Sequence, residues 1–300
     1  MAVITPSRRV RRTPFTQGVE AAGVAGYTVY NHMLLASQFR GLVEDYHHLK
    51  KYVQIWDVAC ERQVQIKGPD ARRLVDLLTP RDLAAMRPDR CMYIPVTDQN
   101  GGLLNDPVLL QVGPDTYWIS IADSDLLLWI SAVAACKGFD VNVTEPDVSP
   151  LGVQGPRADD LMARLFGETI RDLRFFGVGR FAFQDHSFLI ARSGYSKQGG
   201  FEIYVEGEEN GMPLWQALFD GGADMNVRAG CPNLIERVEA GLLSYGNDMT
   251  RENSPLECGL AKYVSPQKLT SCFGWRALAE ELKTGPKQMI RPVSINGTVP

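Results

Sequence analysis

The sequence predicts an α+β fold built from two related modules, and three observations predict it. Between residues 53 and 144, short apolar or alternating runs typical of antiparallel strands are interleaved with two helical stretches. A strand, a Gly-Pro turn and a helix follow one another twice, at Ile66-Lys67-Gly68-Pro69-Asp70-Ala71 and at Val153-Gln154-Gly155-Pro156-Arg157-Ala158. A hairpin punctuated by Gly194, Gly199 and Gly200 joins Phe188–Ala191 to Phe201–Val205. At 300 residues the chain is long enough for two or three such units, each with its own core.

Taken in order, Tyr27–Met33 is aromatic and β-branched and reads as a strand. Residues 38–54 read as a helix carrying His47 and His48, which as neighbours point to different faces and do not form a metal pair. Val53–Val58 is a strand, and Arg62–Lys67 alternates as a half-buried strand does. Asp70 is placed to cap the helix Ala71–Leu78. Cys91–Val96 and Leu103–Leu110 are strands joined by Asp98-Gln99-Asn100-Gly101-Gly102, where Asn-Gly supplies the positive φ of a tight turn. Thr116–Ile121 is a strand, Asp125–Ala135 a helix and Val141–Thr144 a strand. Further on, residues 158–166, 233–243 and Trp215–Phe219 read as helices and Phe175–Phe183 as a strand.

Two places break the pattern. Glu202 lies in the apolar run Phe201–Val205, and alternation turns it and Tyr204 away from Phe201, Ile203 and Val205. It faces either solvent or a ligand cavity. Asn105 and Asp106 lie in an apolar strand just past a tight turn, with Pro107 removing one ladder donor. They form either an Asx turn at a strand end or a carboxylate presented into a cleft.

Composition narrows the function classes. A content of 45% hydrophobic and 22% charged residues is that of an ordinary soluble globular protein, and a net charge of −4 argues against a general nucleic-acid binder. No run reaches the ~18 apolar residues of a membrane span, and the basic N-terminus has no apolar segment behind it to make a secretory signal. The run Ser7–Arg12 is a solvated arm or an anion-binding one. The six cysteines stand singly, without CxxC or a nearby histidine, which fits a reducing cytoplasm better than a disulfide framework or a metal site.

The motifs in their order carry a resemblance. Tyr27–Leu35, Ile55–Val58 with Gly68–Ala71, Asn100–Leu110, Ser120–Asp125, Val153–Pro156, Arg192–Tyr204, Arg237–Gly241 and Tyr245–Asp248 with Pro255–Gly259 resemble the glycine-cleavage T-protein (aminomethyltransferase) family of folate-binding proteins. Within it they resemble the bacterial dimethylsulfoniopropionate demethylases. The turn Gly194-Tyr195-Ser196-Lys197-Gln198-Gly199-Gly200 lacks the two acids of the aminomethyltransferase form and carries a lysine, as the demethylase branch does.

The resemblance implies a cloverleaf around a central hole that holds tetrahydrofolate. Residues 1–52 with 146–262 would form a discontinuous folate-binding domain and 53–145 a ferredoxin-like one. Residues 263–300 would be the incomplete start of a C-terminal β-barrel, reaching its first strand or two. Such a short chain is expected to be less stable than a relative carrying the barrel. An unpaired strand edge there would invite a homodimer. By the same resemblance Asp106 faces the reacting nitrogens of the folate, Glu202 binds the pterin ring, Arg237 lies near the folate, Tyr93 lines the same hole, and Tyr195 is the tyrosine of the family's Gly-Tyr-Thr-Gly turn.

The implied reaction moves a methyl group from a sulfonium donor, dimethylsulfoniopropionate first among them, to tetrahydrofolate. A sulfonium leaves as a neutral thioether, so alignment rather than a strong acid is what the reaction needs. An aromatic face can hold the cation without a tight ion pair, and Tyr30, Tyr195, Tyr27 and Phe176 are the candidates. Arg192 or Lys197 would meet the substrate carboxylate, and Asp106 would take up the proton lost from the folate nitrogen. The alternatives are another one-carbon donor, as in aminomethyl transfer, and a folate-binding protein without catalysis.

Overall fold

The computed structural model describes residues 7–294 and 297. Its elements begin with α1 (Thr16–Ala21), the hairpin β1 (Gly26–Tyr30) and β2 (Met33–Gln38), α2 (Leu42–Leu49) and β3 (Gln54–Asp57). There follow β4 (Gln63–Lys67), α3 (Ala71–Leu78), β5 (Met92–Tyr93), β6 (Val96–Thr97), β7 (Leu103–Asn105), β8 (Val108–Gly113), β9 (Thr116–Ser120), α4 (Leu126–Lys137) and β10 (Asn142–Thr144). The second half holds β11 (Val148–Gln154), α5 (Ala158–Phe166), β12 (Val178–Phe183), β13 (His186–Ala191), β14 (Gly200–Glu206), α6 (Gly211–Gly221), β15 (Arg228–Gly230), α7 (Leu234–Ala240) and α8 (Trp275–Thr284).

Two sheets organise the chain. One has the order β10-β4-β9-β8-β5 and is antiparallel throughout. The other has the order β12-β13-β14-β11-β3-β15 and is antiparallel except for the β3–β15 pair. Strand alternation gives each sheet two uses. Val64, Ile66, Leu109 and Ile119 pack under α3 and α4 with Leu74, Leu78 and Ile130. Ile55, Leu151, Phe201, Ile203 and Val205 pack against Leu161, Leu214 and Leu218 of α5 and α6. Each such side chain contributes about 1.5–3 kcal/mol on burial. The opposite faces meet: Leu110 and Trp118 of one sheet pack on Leu189, Ala191 and Tyr204 of the other.

The repeated Gly-Pro motif is the same device in both sheets. Gly68 and Gly155 have φ of +145° and +125°, and a Cβ on either would lie 2.5 Å and 2.2 Å from the carbonyl oxygens of Asp140 and Tyr52. In each, the alanine three residues on donates its N–H to the glycine carbonyl at 3.0 Å and starts the helix.

Several expectations are corrected. Tyr27–Met33 is a hairpin rather than one strand, because Asn31 and His32 take φ of 48° and 61° and reverse the chain without a glycine to announce it. The helix expected over 38–54 is shorter, Leu42–Leu49, and the strand expected from Phe175 starts at Val178 because Phe176 has a φ of 62°. Asp70 stands at the N-cap of α3 but makes no capping bond. Its backbone (φ −95°, ψ 6°) is not extended, and its carboxylate accepts instead from the N–H of Asp140 at 3.0 Å and from Arg73 at 2.6 Å.

The expected division at residue 53 assigns β3 to the middle module, whereas its hydrogen bonds run to β11 and β15. Residues 263–294 contain 3-10 turns and α8, with Leu256, Val264, Leu269, Cys272 and Leu278 in a small core. Among the described residues there is no closed barrel and no strand after β15, so the expected opening barrel strand is not found there; Ile295, Asn296 and 298–300 lie outside the described residues. No helix among the described residues is long and apolar enough to cross a membrane.

Candidate active site between the two sheets

Two prolines build the first wall. Pro95 separates β5 from β6 and Pro107 separates β7 from β8, because neither can donate to the ladder. The two breaks face each other: Tyr93 pairs with Val108 and Val96 with Asn105, and the Ile94 N–H reaches the Pro107 carbonyl at 2.9 Å. Asp106 is thereby freed from the ladder, and the Tyr93 hydroxyl donates to its carboxylate at 2.8 Å. Asp106 is half-buried. Desolvation pushes its carboxyl up to about 7, against the opposing pull of the Tyr93 hydrogen bond. Its neighbour Asn105 is wholly buried and structural, bonding the 122–124 segment through Ala122 and Ser124.

The second wall is the face of β14 turned away from the helices. Glu202 lies beside Ala191 of β13 and Gly152 of β11, and Gly152 beside Trp56 of β3. Alanine and glycine leave open space over the carboxylate that larger neighbours would fill. Glu202 is therefore neither on a solvated face nor in the helix-packed core: it is 8% exposed and looks toward the other sheet. The Ser193 hydroxyl donates to it in a short hydrogen bond. Burial raises its pKa and that bond opposes the rise. Two residues along the same face, the hydroxyl of fully buried Tyr204 has no hydrogen-bond partner among the described residues.

The third wall is the glycine turn with α7. Gly200 has a φ of +155°, and a Cβ there would meet the Val153 carbonyl oxygen at 2.4 Å. Gln154 ties the turn down, donating to the Ser193 carbonyl at 3.1 Å and accepting from the Ser196 hydroxyl at 2.8 Å. Tyr195 packs on Trp56 and Val58, and its hydroxyl donates to the Leu243 carbonyl at 2.8 Å. Arg237 is 9% exposed and donates through Nη1 to Asp248 and, at 3.4 Å, to the Leu242 carbonyl. Its Nε–H is buried without an acceptor among the described residues.

Asp106, Tyr93, Tyr30, Tyr195 and Arg237 come from separate segments and lie within reach of one another's charges, and Glu61 lies within reach of both Asp106 and Glu202. The charge of Asp106 reaches both Tyr30 and Tyr195, and desolvation raises the pKa of each hydroxyl. Arg192 does not join them. It forms a bidentate pair with Asp159 at 2.8 and 2.9 Å and stacks over Phe201 on the helix-packed side. Lys197 is exposed at the rim, where its backbone N–H donates to Glu236 at 2.9 Å. Tyr27 packs into the core under α5 and α6, and Phe176 packs where the two sheets meet.

Sequence reasoning missed Ser193, Asp248, Tyr204 and Glu61. Glu61 follows β3 in the link to the other sheet, and the charges of Glu202 and Asp106 together with desolvation push its pKa well up. An acid between two buried strands of different modules was the available signal. A surface depression of about 1060 Å³ lies elsewhere, among Asp98–Gly102, Thr250–Ser254 and α8, and contains none of these residues.

Comparison with known proteins identifies the family and the fold. The chain is 64% identical to dimethylsulfoniopropionate demethylase DmdA of Ruegeria pomeroyi over 100% of its own length and 82% of that protein. It is 29% identical to the aminomethyltransferase of Alkaliphilus metalliredigens over 83% of this chain and 69% of the other. The solved glycine cleavage system aminomethyltransferase T from Bartonella henselae shares the fold, with a TM-score of 0.81 at 22% identity over 92% of this chain and 76% of that one. The model of the GCVT N-terminal domain matches residues 15–268, and the chain therefore belongs to the glycine-cleavage T-protein family.

Proposed function

We propose that this chain is a tetrahydrofolate-dependent methyltransferase that takes a methyl group from a sulfonium, dimethylsulfoniopropionate, and yields methylthiopropionate and 5-methyltetrahydrofolate. The observation that carries the choice of donor is the 64% identity to a demethylase over the whole chain. The inter-sheet site supports the acceptor. The Nε–H of Arg237 and the Tyr204 hydroxyl, without partners among the described residues, together with the carboxyl of Glu202, offer the mixed donors and acceptors that the edge of a pterin needs. When bound, tetrahydrofolate supplies the amine nitrogen that receives the methyl group.

The residues divide the work. Glu202, oriented by Ser193, and Arg237, oriented by Asp248, hold the ring. Asp106, oriented by Tyr93, sits at the reacting end with a carboxyl poised near neutrality to accept a proton. Tyr30 and Tyr195 offer aromatic surface to the cation. Arg192 is committed to Asp159, which leaves Lys197 as the freer cation for the substrate carboxylate. The reading includes a cytoplasmic enzyme without a nucleic-acid partner, able to pair as a homodimer. It keeps the division into 1–52 with 146–262, 53–145 and 263–300, with β3 transferred to the first unit because it pairs with β11 and β15.

The test is incubation with tetrahydrofolate and dimethylsulfoniopropionate, with mass detection of both products. Formation of both by the wild type and not by Asp106→Ala is expected. Folate binding without turnover would favour a non-catalytic binder.

A further inference from the structure

Three carboxyl groups lie within reach of one another's charges, and two of them are held. Asp106 accepts from Tyr93 at 2.8 Å, and Glu202 accepts from Ser193. Glu61 is different. Its backbone is fixed, with its N–H donating to the Val58 carbonyl at 2.9 Å and its carbonyl accepting from Gln63 at 2.8 Å. Its carboxylate oxygens make no hydrogen bond and no ion pair among the described residues, and the residue is partly exposed. The neighbouring cation is already taken, since Arg62 pairs with Glu145. Arg237 is likewise taken by Asp248.

An acid in such a place is costly to ionise unless a ligand supplies positive charge. The surroundings also suit a cation. Tyr30 packs on the cluster of Met33, Leu35 and Cys60, the residue before Glu61, and the charge of Glu61 reaches its hydroxyl. Asn31 holds this corner, donating to the carbonyls of Cys60 at 2.9 Å and Ala122 at 3.2 Å. A ring face beside an uncommitted carboxylate is the arrangement that selects a cationic group over its neutral counterpart.

We infer that Glu61 is the counter-charge for the cationic centre of the methyl donor, and that it sets the preference for a sulfonium over the neutral thioether. This assignment rests on the methyltransferase reading above. Glu61 makes no bond to the reacting atoms; it acts on substrate affinity and on release of the uncharged product.

The test compares wild type, Glu61→Gln and Glu61→Asp, all in the presence of tetrahydrofolate. Binding of dimethylsulfoniopropionate and of methylthiopropionate is measured by calorimetry, with kcat and KM from 5-methyltetrahydrofolate formation. Glu61→Gln is expected to weaken the sulfonium by about tenfold or more, as loss of one partner of a charge pair does. The thioether, which has the same carboxylate tail and no cation, is expected to bind as before. KM rises while kcat holds, and Glu61→Asp keeps the preference. Equal loss for both ligands, or no loss for either, overturns the assignment. If Glu61→Gln melts early, Glu61→Asp decides: a retained preference supports the assignment and a lost one overturns it. A wild type that binds the sulfonium preferentially but forms no methylated folate sinks the proposed reaction and leaves the Glu61 assignment standing. A wild type that binds neither ligand overturns both.

Discussion

Replacing Asp106 with asparagine separates stability from catalysis at one atom. Asparagine keeps an oxygen for the Tyr93 hydroxyl, so the 2.8 Å contact has an acceptor in both proteins. What changes is the proton. The folded chain holds it up to about pH 7, whereas an unperturbed carboxyl gives it up at 3.8. Between those values the unfolded state binds fewer protons, so wild-type stability falls as pH rises and levels off above about pH 7. At about 1.4 kcal/mol per tenfold change in proton affinity, the full interval is worth about 4 kcal/mol, and about 3 kcal/mol of it is lost between pH 5 and pH 8. Asp106→Asn lacks this loss. Urea unfolding at pH 5 and pH 8 should therefore show the variant gaining about 3 kcal/mol on the wild type over that range. Asp57, raised to about 6 by burial, titrates in both proteins and cancels. Turnover at pH 8 should fall by a factor of about 10²–10⁴, the usual contribution of a positioned acid or base. Parallel pH dependence of stability in the two proteins would refute the placement of this carboxyl in a desolvated space.

Other outcomes follow from the same geometry. Tyr93→Phe removes the side-chain hydroxyl that donates to Asp106, which lets desolvation push the carboxyl higher, so the rising limb of kcat against pH should move upward with about tenfold less activity at pH 7. Ser193→Ala leaves Glu202 without its donor and should weaken folate binding, read by calorimetry, by about tenfold. Arg192→Ala breaks the pair with Asp159 and should cost about 1 kcal/mol of stability while leaving the KM for the sulfonium unchanged; a KM raised about tenfold would restore Arg192 to the substrate. Gly200→Ala puts a Cβ 2.4 Å from the Val153 carbonyl oxygen at a φ of +155°, and should lower stability by about 2–4 kcal/mol in thermal unfolding.

Much of the molecule is legible without coordinates because its signals are local. Strand alternation placed Phe201, Ile203 and Val205 on one face and Glu202 and Tyr204 on the other, and that holds. The Gly-Pro turns announced two helix starts because only a residue without a Cβ fits beside the carbonyls of Asp140 and Tyr52. Asp106 stood out as an acid beside a ladder-breaking proline. The reversal at Asn31 and His32 gave no such sign, since no glycine marks it.

Sequence alone determined which residues face away from the cores, but not what they face. Whether Glu202 met water or an enclosed site depended on a second sheet arriving over it, and that sheet is formed by residues distant in the chain. The same holds for the charged groups. Arg192 and Arg237 read alike as single letters, yet one is drawn to Asp159 on the helix side and the other to Asp248 beside the site. Glu61 is marked in the sequence only as an acid between two buried strands: its significance comes from having no side-chain partner among the described residues, and only the tertiary structure shows which cations have been used elsewhere.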